Sequence, residues 1–136
     1  MTLKDESNDK IEYKNSRESV KISYKQMTKA IDKVSDSTKH YRYSNEVNMI
    51  YRIVLGFDAK GFRKSHGLPE NADILDNLTN EQLQAIDKLQ IENTKLLYER
   101  MGFQDRKDRL KYIYDNFVYQ IMSNNIDFEE IKEFGN

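Results

Sequence analysis

Residues 79–102, TNEQLQAIDKLQIENTKLLYERMG, decide how the chain folds. Thr79 followed three positions later by Gln82 is the capping-box pattern, in which the hydroxyl and the amide each satisfy a backbone donor at a helix start. Leu83, Ile86, Leu97 and Met101 then form a central stripe, flanked by Leu89, Ile91, Leu96 and Tyr98. Such spacing predicts a helix covered by neighbours on two sides, with Gly102 closing it.

Helices are expected on either side of it. Upstream, Val20, Tyr24, Met27, Ile31 and Val34 predict a helix over 17–35, ended by the polar run Asp36 to His40. A second helix is expected after Ser44 as N-cap. It carries Val47, Ile50, Tyr51 and Val54 on one face and Met49, Ile53 and Leu55 around the rest, a distribution that suits the middle of the fold. Gly56 supplies a left-handed stop. Asp58 is then placed to cap a short helix, Ala59 to His66, anchored by Phe57, Phe62 and Leu68 and ended by Gly67 and Pro69. Ile74 and Leu75 are expected to tuck into the core from the following loop. Downstream, Leu110, Ile113, Tyr114, Phe117, Val118 and Ile121 predict a helix over 105–123, and a last short helix is expected over 128–134 with Asp127 as its cap.

These elements make an all-α, single-domain compact bundle of five to six helices, without repeats. Residues 1–15 carry seven charges and few large apolar groups and are expected to be a mobile tail before a helical domain over 16–136. The helix over 17–35 suits either packing on the core or service as an arm that pairs with a second copy of the chain. At 136 residues, one core can bury roughly two-thirds of the surface of the unfolded chain. No apolar run reaches the ~18 residues of a membrane span, so no membrane partner is expected and the expected location is cytoplasmic.

The chemistry the sequence offers is sparse. With no cysteine there is no disulfide, thiolate metal site or thiol nucleophile. His40 and His66 stand 26 positions apart without a carboxylate motif between them, a poor zinc pattern, and neither neighbours a glycine-flanked nucleophile. The five glycines are spread singly, so no Walker or Rossmann loop is present. Residues 97–103 look like the Y-x-x-x-G-F stretch of acyl-CoA acetyltransferases, but the strand and glycine-rich turn of that family do not precede them. A helix end with Phe103 stapled beneath it is the expected reading. No cofactor, metal or catalytic residue is assigned, and the chain is not expected to be an enzyme.

Charge is more informative. The total is near balance, with 22 basic and 23 acidic residues, yet Lys39 to Lys64 holds six basic and two acidic residues while Ser65 to Asn136 holds eight and fourteen. The basic segment, with Lys39, Tyr41, Arg42, Tyr43, Arg52, Lys60, Arg63 and Lys64, could place cations on phosphates and tyrosines on bases, as single-strand binders do. Alternatively, the two helices around Gly56 would form a helix-turn-helix. The acidic half ends in Asp127, Glu129, Glu130 and Glu133, which could mimic phosphate in a basic site of a protein partner.

The runs Tyr43-Ser44-Asn45-Glu46-Val47-Asn48-Met49-Ile50, 54–63 (VLGFDAKGFR), 76–79 (DNLT) and Glu81-Gln82-Leu83 resemble a helical module found near the C-terminus of some phage and mobile-element proteins, including ones with KilA-N-type DNA-binding domains. The likeness covers about residues 43–110, and Gln104-Asp105-Arg106-Lys107 is comparable to the module's final basic run. It implies a phage or mobile-element accessory protein. The DNA-binding half of that family has no counterpart, since Met1 to Arg42 is too short and too helical. The expected function is therefore macromolecular binding: first a protein-interaction or inhibitor protein directed at a host defence or regulatory protein, for which a nucleic-acid-binding effector is one candidate, in the manner of anti-CRISPR proteins. The alternative is a nucleic-acid-binding regulator that uses the basic segment.

Overall fold

The structure, a computed structural model, describes residues 2–35 and 41–134, with side chains described over 8–35 and 41–124. Among the described residues it contains five α-helices, α1 (Thr2–Val34), α2 (Tyr41–Leu55), α3 (Ala59–Ser65), α4 (Asn80–Tyr98) and α5 (Phe103–Phe134), with a 3-10 turn at Ile74–Asn77 and no strand. None of the described helices is long and apolar enough to cross a membrane.

The central helix is α4. Its capping box forms as the sequence predicts: the Thr79 hydroxyl accepts from the Gln82 amide at 3.1 Å, and Gln82 Oε1 accepts from the Thr79 amide at 2.9 Å. Leu83, Ala85, Ile86, Leu89, Leu96 and Leu97 are buried along it, because α1 packs on one side over much of its length while α2 and α5 cover the others. Burying the Leu and Ile side chains among them, each worth about 1.5–3 kcal/mol, makes this helix the spine of the fold. The helix expected in the middle, α2, instead buries only Met49, Ile50 and, unexpectedly, Glu46, and leaves its remaining apolar residues half-buried. Two flanking residues of α4, Ile91 and Tyr98, are exposed.

Several boundaries move. The ordered contacts of α1 begin ahead of Arg17: Tyr13 donates its hydroxyl to the carbonyls of Leu75 and Leu78 at 3.0 and 3.1 Å, and Ser16 donates to Asn80 at 2.6 Å. Those bonds lay the helix on the turn before α4, so over 13–34 α1 takes the core-packing option rather than standing as an arm. Ser44 is not a cap. It lies in the first turn of α2, and its hydroxyl donates back to the Tyr41 carbonyl. Asp58 does cap α3, accepting from the Gly61 amide at 2.8 Å, and Phe62 is its buried anchor, while Phe57 is exposed. No break separates residues 123 and 128, since no glycine or proline interrupts the chain there and α5 runs through.

Candidate arginine groove between α1, α2 and the α4–α5 corner

Three polar residues stand where helical spacing demands apolar ones. Glu46 lies one turn before Met49 and Ile50, Asn93 lies between Leu89 and Leu97, and Arg106 lies one turn before Leu110. All three are buried, and they meet. Arg106 Nη2 donates to Glu46 Oε1 at 2.6 Å, Arg106 Nε to Asn93 Oδ1 at 3.1 Å, and Arg106 Nη1 to the Met101 carbonyl at 2.6 Å. Asn93 Nδ2 donates to the same Glu46 oxygen at 3.1 Å. A buried charge is tolerated when it is paired and hydrogen-bonded, and here Arg106 has a carboxylate partner and two further acceptors while Glu46 Oε1 accepts twice.

Glu46 and Arg106 of this network also line a groove of about 670 Å³. Its floor is apolar, from Ile31, Val34, Leu97 and Met101, and Arg42, Arg52, Arg100 and Arg106 stand around it with Glu46 as the acid of the lining. Two of these guanidiniums are oriented from outside. Arg42 meets Asp32 at 3.0 Å and lies 5.4 Å from the centre of the Tyr43 ring; Arg52 meets Asp58 at 3.2 Å, so the residue that caps α3 also positions a groove cation. Phe103, exposed at the start of α5, forms part of the wall, with the Arg106 guanidinium 5.7 Å from its ring centre. It is no staple beneath α4. That place is taken by Met101, which is packed against the core.

The basic segment read from the sequence is thus divided. Arg42 and Arg52 line the groove, and Tyr41 is exposed at the start of α2. Tyr43 donates its hydroxyl to Asp32, and the Arg42 guanidinium lies over one face of its ring. The hydrogen bond to the Asp32 carboxylate, with some burial, holds its phenol above the usual tyrosine range. Lys60, Arg63 and Lys64 border a separate hollow beside α3 with Leu68 and Glu70, and Arg63 Nε is committed to the Ala72 carbonyl at 2.8 Å. A recognition helix is not what α3 provides. At seven residues it is a corner held by Phe62, on whose ring His66 stacks at 3.9 Å. Lys39 lies outside the described residues, as do the side chains of Asp127, Glu129, Glu130 and Glu133 on the last turns of α5.

Arg100 and Arg106 were not singled out by charge, because they fall in the acidic half. For Arg106 the signal was its position on the apolar stripe of α5, in register with Leu110. Among the described residues no group of His, Cys, Asp and Glu side chains is placed to hold a metal. No family model, known protein or solved structure matches the chain.

Proposed function

We propose that the protein is a binding protein rather than an enzyme, and that the arginine groove receives the sugar-phosphate backbone of a single-stranded nucleic acid. One observation carries this reading: four arginines from α2, the α4–α5 corner and α5 line one groove whose wall includes an exposed aromatic ring. Guanidiniums pair with phosphate oxygens through parallel N–H bonds, and an aromatic face stacks on a base whatever its identity. Tyr41, exposed beside Arg42, offers a second such face. The acidic turns that favoured an inhibitor of a host protein lie beyond the described side chains, so this geometry favours the alternative.

Fluorescence anisotropy with a labelled single-stranded oligonucleotide tests it. Engagement of three or four phosphates gives a log–log salt slope of roughly −2 to −3, at about −0.7 per contact. The double variant Arg42→Gln, Arg52→Gln removes two cations held outside the core and is expected to weaken binding at least tenfold. Absence of binding at low salt would reject the reading.

A further inference from the structure

The corner between α4 and α5 contains a conformation that its residue does not favour. Arg100 has φ 61°, in the left-handed region where an L side chain crowds the following carbonyl and glycine is preferred. The conformation is imposed by the helix end. The Arg100 amide donates to the Leu97 carbonyl at 2.9 Å and the Met101 amide to the Leu96 carbonyl at 3.1 Å, the paired bonds of a Schellman motif, with Leu96 in the core cluster and Met101 packed against it. Where α2 and α3 end in the same region of backbone, at Gly56 and Gly67, the chain uses glycine. Here the nearest glycine is Gly102, which is not in the left-handed region and where an added Cβ would meet nothing within 4 Å. Arginine stands where glycine would fit better, and glycine stands where nothing requires it.

The side chain at this costly position lines the groove. Of the four groove guanidiniums, Arg42, Arg52 and Arg106 have carboxylate partners in Asp32, Asp58 and Glu46, whereas Arg100 has none among the described residues. Residues held in disfavoured backbone persist where the side chain is needed, and a guanidinium without a carboxylate partner is suited to a planar pair of oxyanion oxygens. We propose that Arg100 is the phosphate anchor of the groove: its two parallel N–H groups bind two oxygens of one phosphate group, and the left-handed corner is retained to aim them. This rests on the groove being the binding site. The chemistry fits a phosphodiester of a nucleic acid strand and a free phosphate alike.

Three variants of the full chain separate the roles of side chain and backbone. Arg100→Gly relieves the conformation and removes the guanidinium, so the melting temperature is expected to rise by about 3 °C while affinity for the labelled oligonucleotide falls about tenfold and the salt slope loses about 0.7. Arg100→Ala keeps the conformation and is expected to lose the same affinity without the thermal gain. Arg100→Lys, which keeps the charge but not the fork, is expected to recover part of it. Inorganic phosphate is the second probe, and it should raise the melting temperature of the parent and not of Arg100→Ala. Oligonucleotide affinity that survives in Arg100→Gly while falling in the Arg42, Arg52 double variant would overturn the anchor and leave the groove reading standing. Phosphate protection through Arg100 without oligonucleotide binding would support the anchor and reject the nucleic acid. A parent that responds to neither probe overturns both.

Discussion

Replacing Glu46 by Ala would strand the Arg106 guanidinium inside the protein. The two side chains are only 7% and 9% exposed, and Glu46 Oε1 accepts from both Arg106 and Asn93. After truncation, Arg106 would keep two neutral acceptors, Asn93 Oδ1 and the Met101 carbonyl, but no counter-charge. Removing one partner of a buried ion pair costs about 3–5 kcal/mol, against a total stability of about 5–15 kcal/mol for a domain of this kind. Glu46→Gln, which keeps an acceptor of the same shape, should cost less, about 2 kcal/mol. The double variant Glu46→Leu, Arg106→Met removes both charges and leaves Asn93 as the stranded group, so it should cost only about 1–3 kcal/mol. Urea unfolding followed by far-ultraviolet circular dichroism gives all three values. A loss below about 1 kcal/mol for Glu46→Ala, or a double variant less stable than that single one, would refute the view that this pair closes the core.

Other outcomes follow from the packing and the titrating groups. Ile86→Ala, at a fully buried position of α4, should cost about 2–5 kcal/mol, while Ile91→Ala on the exposed side of the same helix should stay within about 0.5 kcal/mol; thermal or urea unfolding of the two variants compares them. Thr79→Ala breaks the capping box and should cost about 1 kcal/mol by the same measurement. Burial, followed by the nearby Tyr24 and Asp73, pushes the Tyr51 phenol up to about 12 from an ordinary 10. The unfolded chain then releases this proton first as pH rises, so the contribution is whole below pH 10 and is lost progressively toward pH 12, amounting to roughly 2 kcal/mol. Urea midpoints across that window should therefore fall more steeply for the parent than for Tyr51→Phe, and parallel curves would refute the assignment.

Apolar periodicity made the helices legible because it is a local property. The stripe of α4, its Thr79 cap, the Gly56 stop and the Asp58 cap each depend on residues within one or two turns of one another. Relative depth was less legible. The apolar surface of α2 suggested the central place, yet α4 holds it, since coverage depends on the partners a helix meets and not on its own composition. The boundary at residue 128 was misplaced because capping residues such as Asp127 are also tolerated inside helices. At the site, Arg42 and Arg52 were visible as charges in a basic segment. Arg100 was hidden by a helix end read two residues too late, at Gly102, and by an acidic neighbourhood in sequence that is not its neighbourhood in space.

Arg106 belongs to both parts of this account, since it closes the buried network with Glu46 and Asn93 and also lines the groove. Its charge is therefore fixed by interior contacts before any ligand arrives, and it loses little side-chain freedom on binding, which preorganised sites exploit. The same sharing means that an Arg106 substitution mixes loss of fold with loss of binding and cannot separate them. Arg42, Arg52 and Arg100 line the groove and take no part in the interior network, so they are the residues whose substitution tests the proposed binding while the core is left alone. A groove built in this way joins one cation held in the core with three carried outside the interior network, and on the proposed reading these three are where affinity can vary without altering the fold.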